Sequence, residues 1–419
     1  MSVLRIEGGR RLEGIVTVEG NKNAALPLIV ASLLTTEPVT LHNVPRIGDV
    51  EVLLDLLEGL GSTVEGRGTG TLVLRGPERP GTAPDPRLVG RVRASVLLLG
   101  PLLARCGIVQ LAPPGGDFPS RRTIATHEQA LAALGARRTD GASHAFEAPD
   151  GLAGASFYMD EASVTATELA LLAAVTATGT SDIRHAATEP HVIELCQLLN
   201  AMGAQIEGAG TSRLRIHGVS RLHGAVHTLR GDYIEAGTWA VVGAVTGGSL
   251  DVRGAEADDM EPIVSVLRRM QVPCTVDGGR VQVLPGQCVG MGRLVTGLWP
   301  AFPSDMVSLF TVLATQAEGR TLIHDWMYEL RLFALEQLSG MRADIFLCDS
   351  HRMVVTGPTP LRGRQLDTRD LRSGMALIAA GLAAEGESVV GPLETVERGY
   401  AHVVERLAAL GAQVERSNA

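Results

Sequence analysis

Residues 198–208 read LLNAMGAQIEG and residues 406–416 read RLAALGAQVER. In both, an apolar helix-forming run stops at a glycine and resumes as an alternating strand pattern. The same junction recurs at 56–66 (LLEGLGSTVEG), 130–140 (ALAALGARRTD), 266–278 (VLRRMQVPCTVDG) and 335–345 (LEQLSGMRADI). The register position is Gly61, Gly135, Gly203, Gln271, Arg342 and Gly411, with successive spacings of 74, 68, 68, 71 and 69 residues. Six copies at near-constant spacing define an internal repeat, which ordinary α/β alternation would not hold. Glycine at four of the six suits the left-handed residue that closes a helix before a strand.

A second pattern keeps the period. An alanine-rich helix runs into a turn, a β-branched strand and a polar loop, as in LIVASLLTTEPVTLHNVPRIGD (28–49), AVVGAVTGGSLDVRGAEADD (240–259) and LIAAGLAAEGESVVGPLETVERGY (377–400). Each unit reads as helix–strand–loop–helix–strand, and its first helix, apolar nearly all round, belongs beneath sheets. The loops carry the unusual polar residues: Asp49, Asp117 with Arg122, Glu189, Arg331 and Arg398. Loops at equivalent places on a rigid scaffold can converge on one cleft.

With 419 residues the chain exceeds what one core usually serves, so two domains are expected. Only 3% of residues are aromatic and the net charge is −9, which argues against nucleic acid or an anionic membrane as partner. An anionic small molecule must then be met by a local cluster of basic residues. The five cysteines are scattered without metal spacing and read as reduced thiols, and the eleven histidines form no ligand set, so neither metal nor cofactor is expected. MSVLRIEGGRRLEG (1–14) has no signal-peptide core and no window approaches 18 apolar residues, which points to the cytoplasm.

The polar motifs, in chain order, are EGNKNAALP with Lys22 and Asn23, VRAS with Arg93, PGGDFPSRR with Asp117 and Arg122, SVTAT with Ser163, Val164 and Thr165, PAFPSDM with Asp305, YELR with Arg331, RDLRSG with Arg372 and VERGY with Arg398. Taken singly they have bland readings: surface ion pairs for Arg372 and Arg398, a helix cap for Asp305, a turn for Asp117. As an ordered set they resemble the UDP-N-acetylglucosamine enolpyruvyl transferases, over essentially the whole chain. The related shikimate-pathway transferases typically carry a G-S-K-S run where this chain has EGNKNAALP.

The resemblance implies two similar inside-out α/β domains of three repeats each. One would hold residues 1–20 plus 231–419, and the other 21–230 with a lid loop at 113–122. It implies that Lys22, Arg122 and Arg398 hold the phosphate of phosphoenolpyruvate, Arg331 and Arg372 its carboxylate, and Arg93 supports them. Asn23, Asp305, Ser163, Val164, Thr165 and Met327 match acceptor contacts, and Asp305 also matches the base for the attacking hydroxyl. Asp117 stands where most members have cysteine and some aspartate. A carboxyl group protonated near neutral pH could deliver and recover the proton at C3. A carboxyl is a far weaker nucleophile toward an epoxide than a thiolate, so resistance to fosfomycin is expected.

Departures cluster around the acceptor. Thr123-Ile124-Ala125 replaces the usual Pro-x-Asp, Thr165 replaces a glycine, His191 replaces the second glutamate of Glu-Pro-Glu, and Asp232-Tyr233-Ile234-Glu235 replaces Asp-Arg-Ile-Glu. Three readings follow: transfer to UDP-N-acetylglucosamine, the same chemistry on another uridine nucleotide such as UMP in nucleoside-antibiotic biosynthesis, or an inactive binding protein that keeps the fold.

Overall fold

The computed structural model describes residues 2–116, 123–140, 143–329 and 331–418. Its six repeat junctions are built alike. After each helix the register residue takes a positive φ: 101° at Gly61, 94° at Gly135, 99° at Gly203, 54° at Gln271, 72° at Arg342 and 93° at Gly411. The N–H one residue later donates to the carbonyl of a leucine five back: Ser62 to Leu57, Ala136 to Leu131, Ala204 to Leu199, Val272 to Leu267, Ala343 to Leu338 and Ala412 to Leu407. This is a Schellman closure, six times over. Gln271 and Arg342 adopt the left-handed form despite a Cβ, at a cost of about 1–2 kcal/mol each. Their side chains are exposed, so nothing else opposes the geometry.

Six largely buried helices begin the repeats: α1 (Lys22–Ala31), α2 (Leu99–Cys106), α3 (Val164–Ala174), α4 (Tyr233–Val245), α5 (Val307–Gln316) and α6 (Leu371–Ala383). Every residue of α3 from Ala166 to Ala174 is buried, as is every residue of α6 from Leu371 to Leu382. Around them lie six small sheets, five of four strands and one of three among the described residues. Each four-stranded sheet mixes parallel and antiparallel pairs. Val39–His42, for example, pairs antiparallel with Thr71–Arg75 and parallel with Val226–Thr228.

The described residues form two compact units, one of 2–19 with 230–418 and the other of 20–116 with 123–229. The first is stitched by its own termini: strand Ser2–Glu7 lies between Glu387–Gly391 and Gln413–Asn418, antiparallel to both. Within it α4, α5 and α6 pack on one another. In the second unit α2 packs on α3, and the 3₁₀ turn Arg93–Leu98 packs on α1 and α3. Gly100 permits that approach, since a Cβ there would meet the Leu169 carbonyl at 3.0 Å. No described helix is long and apolar enough to cross a membrane.

Candidate active site

Most of the charged motifs sit where the buried helices begin, and the helix ends explain their local structure. In the 20–229 unit, Asn21 caps α1 by accepting from the N–H groups of Asn23 and Ala24. That places Lys22 at the first helical position, buried, with Nζ 3.0 Å from Asp49 Oδ2. Asp49 is itself buried in the first turn of helix Gly48–Gly59, where a carboxylate is favoured. Asn23 is half-buried and its backbone N–H is spent on the cap. Arg93 opens the 3₁₀ turn before α2 and donates from Nη2 to the Thr123 carbonyl at 3.0 Å.

Ser163 caps α3, accepting from the Ala166 N–H, and Val164 and Thr165 are its first two helical residues. Thr165 Oγ1 lies 2.8 Å from Nε2 of His127. His127 is 3% exposed and its Nδ1 has no hydrogen-bond partner. Burial, with Arg93 adding to it, pushes the imidazole down to about 3, so the ring is neutral. Deeper in α3, Glu168 is fully buried, and burial reinforced by Glu189 raises its carboxyl well above the usual range.

In the 230–418 unit, Arg331, Arg372 and Asp305 meet. Asp305 does not cap its 3₁₀ turn Ser304–Met306, whose cap is Pro303 without a side-chain bond. Its carboxylate instead bridges two guanidiniums: Arg372 Nη2 donates to Oδ2 at 2.9 Å and Arg331 Nη1 to Oδ1 at 3.3 Å. Asp370 caps α6 through the Arg372 and Ser373 N–H groups, which sets Arg372 at that helix start. Arg372 is 5% exposed and is no surface ion-pair partner. Burial alone would lower its basicity, but Asp305, Tyr400 and Asp232 outweigh it, and the group is held above its usual range. Arg331 is 8% exposed, lies over the Tyr328 ring at 4.5 Å and is raised in the same way, Asp305 and Asp325 outweighing burial.

Tyr400 completes this cluster. Arg372 Nη1 donates to its hydroxyl at 3.2 Å, and the hydroxyl lies 2.9 Å from Thr238 Oγ1. Thr238 spends its own proton on the Ile234 carbonyl, so Tyr400 donates to Thr238 and accepts from Arg372. Arg398, half-buried, closes the short helix Leu393–Glu397, two residues before Tyr400. Met327 is half-buried and its N–H donates to Asp325. Asp117 and Arg122 lie outside the described residues.

Sequence reasoning passed over Tyr400, His127, Ser304 and Asp325. Tyr400 was within the quoted VERGY and His127 follows the Thr-Ile-Ala departure, but their partners are distant in sequence. Gly115, in the PGGDFPSRR motif, is there for contact: its N–H donates to the Val89 carbonyl at 3.0 Å, and a Cβ would meet the Gly90 carbonyl oxygen at 1.8 Å.

A family model described as EPSP synthase (3-phosphoshikimate 1-carboxyvinyltransferase) matches residues 6–407. A Bradyrhizobium diazoefficiens protein named UDP-N-acetylglucosamine 1-carboxyvinyltransferase is 44% identical over 419 residues, covering 98% of this chain and 97% of its own. A protein of the same name from Treponema pallidum is 44% identical, covering 99% of both. Among solved structures, the enolpyruvyl transferase NikO from Streptomyces tendae superposes with a TM-score of 0.90 at 25% identity, covering 100% of this chain and 99% of its own. An EPSP synthase from Acinetobacter baumannii, at a TM-score of 0.77 and 19% identity over 100% of both chains, shares the fold.

Proposed function

The chain belongs to the enolpyruvyl transferases, in the family of the UDP-N-acetylglucosamine 1-carboxyvinyltransferases, and from that membership we propose that it transfers the enolpyruvyl group of phosphoenolpyruvate to a sugar hydroxyl of UDP-N-acetylglucosamine, releasing phosphate. The observation that carries the reading is the pair of buried arginines, Arg331 and Arg372, both bonded to Asp305. Two guanidiniums make a fork suited to a substrate carboxylate, and the carboxylate between them is a base beside the bound acid.

The steps balance on these residues. Asp305 takes the proton of the acceptor hydroxyl as its oxygen bonds to C2 of phosphoenolpyruvate, and Asp117 gives a proton to C3. The bond between C2 and the phosphate's bridging oxygen then breaks, the phosphate leaves with the proton from Asp305, and Asp117 recovers a proton from C3 as the double bond re-forms. Lys22, Arg122 and Arg398 stabilise the charge of the departing phosphate, and Arg93 supports them. Asn23, Ser163, Val164, Thr165 and Met327 line the acceptor.

One observation favours a second acceptor. Thr165 brings a side chain, bonded to His127, to the start of α3, where the family has glycine and the backbone approaches the acceptor's diphosphate. That suits a smaller uridine nucleotide such as UMP, with the same chemistry. Steady-state phosphate release with phosphoenolpyruvate and a panel of UDP-N-acetylglucosamine, UDP-glucose and UMP separates the two. The highest kcat/KM is expected with UDP-N-acetylglucosamine. A preference for UMP would replace it by the second reading, and release with no acceptor would overturn both.

A further inference from the structure

Asp325 takes no part in the chemistry above, yet it is a completely buried carboxylate linked to Arg331 through a single hydroxyl, that of Ser304. Thr296 Oγ1 donates to its Oδ1 at 2.8 Å, the Met327 N–H to the same oxygen at 3.3 Å, and Ser304 Oγ to its Oδ2 at 2.7 Å. Ser304 Oγ in turn accepts from Arg331 Nη1 at 2.8 Å. Hydrogen accounting fixes the direction of this chain. A guanidinium only donates, an ionised carboxylate only accepts, and a serine hydroxyl owns one proton. The Ser304 proton therefore points to Asp325, and a lone pair is left facing Arg331.

The same Arg331 nitrogen reaches Asp305 at 3.3 Å, so Ser304 is its nearer anchor. Asp325 does not need its side chain to hold its own backbone. Its N–H donates to the His351 carbonyl at 2.9 Å, and its carbonyl accepts from His351 Nδ1 at 2.7 Å. A buried carboxylate so placed has a more specific use than closing a turn.

We propose that Asp325, acting through Ser304, is a positioning residue that aims the Arg331 guanidinium at the substrate carboxylate. The inference rests on the phosphoenolpyruvate reading of Arg331. Loss of either partner frees the Ser304 proton or removes the acceptor, and Arg331 then swings between alternatives instead of being held.

The test compares native protein with Ser304→Ala, Ser304→Thr and Asp325→Asn, by calorimetric binding of phosphoenolpyruvate and by separate KM values for both substrates. Ser304→Ala and Asp325→Asn are expected to weaken phosphoenolpyruvate by about tenfold, the loss of one charge-assisted bond. The KM for the uridine nucleotide should stay within about twofold, and Ser304→Thr, which keeps the hydroxyl, should bind like the native protein. In an Arg331→Ala background, Ser304→Ala should add less than about twofold, because its route is gone. Native-like binding by Ser304→Ala, or an equal loss in the Arg331→Ala background, would overturn the inference alone. If Asp325→Asn fails to fold, Ser304→Ala decides. A native protein that binds no phosphoenolpyruvate would overturn this inference together with the reading of Arg331.

Discussion

The two units hold their cations through different contacts. In the 20–229 unit two cations meet two different groups: Lys22 pairs with Asp49, and Arg93 donates to the Thr123 carbonyl. In the 230–418 unit Arg331 and Arg372 share one carboxylate, Asp305, an oxygen apiece. The Lys22–Asp49 bridge joins one cation to one anion. A shared carboxylate couples two charges, so that what happens to either is felt by the other. The difference teaches that residues of one chemical kind, read from sequence as equivalent substrate contacts, are not energetically equivalent.

That difference is open to a double-mutant cycle. Lys22→Ala and Arg372→Ala are each expected to reduce kcat/KM by a factor corresponding to about 2–5 kcal/mol, the cost of stripping a partner from a desolvated charge. Combined, they should be nearly additive. Arg331→Ala with Arg372→Ala should depart from additivity by about 1–3 kcal/mol, since both act on Asp305. Steady-state kinetics of the three single and two double variants checks this. Additivity in both pairs would remove the distinction.

The next effect concerns Asp117. Asp117→Asn, unable to shuttle a proton, should lose most turnover. Asp117→Cys should keep measurable activity and become susceptible to fosfomycin, whose epoxide a thiolate opens. Intact-protein mass after incubation with the drug reads the outcome. Stoichiometric labelling of the native protein, or full activity of the Asn variant, would remove Asp117 from the proton-donor role.

A smaller effect sharpens the contrast on the side of the 20–229 unit. His127 is held at about 3 against an ordinary value of 6.5, chiefly by burial. Its folded value lies below its unfolded one, so the unfolded chain binds the extra proton first. The stability tied to neutral His127 is fully present above pH 6.5 and is lost as pH falls from 6.5 towards 3. His127→Gln should therefore show a shallower fall of Tm between pH 6.5 and pH 4 than native protein. Parallel Tm–pH curves would contradict this.

Much of the fold was legible in the sequence because the repeat imposes it locally. The leucine whose carbonyl closes each junction and the register residue four positions later lie within one short window, so the closures at Gly61 and Gly411 can be read directly. Gln271 and Arg342 could be placed only by register, since nothing in their chemistry asks for a left-handed backbone. The site was legible as a set of charges, not as a set of pairs. Asp305 with Arg372 spans 67 residues and Ser304 with Asp325 spans 21, separations that no local pattern encodes. Asp325 reads in sequence as the polar end of the strand Gly319–His324, and only its burial marks it as a group held for a purpose.

The most direct measurement is the reaction run in D₂O with phosphoenolpyruvate and UDP-N-acetylglucosamine, followed by phosphate assay and mass analysis of the nucleotide product. Addition to C2 with protonation of C3 turns the methylene into a freely rotating methyl, and elimination then removes any of its hydrogens. One phosphate per product is expected, with deuterium in the vinyl group of the enolpyruvyl product. Product formed without vinylic deuterium would contradict the addition–elimination route, and no phosphate release would contradict the transfer itself.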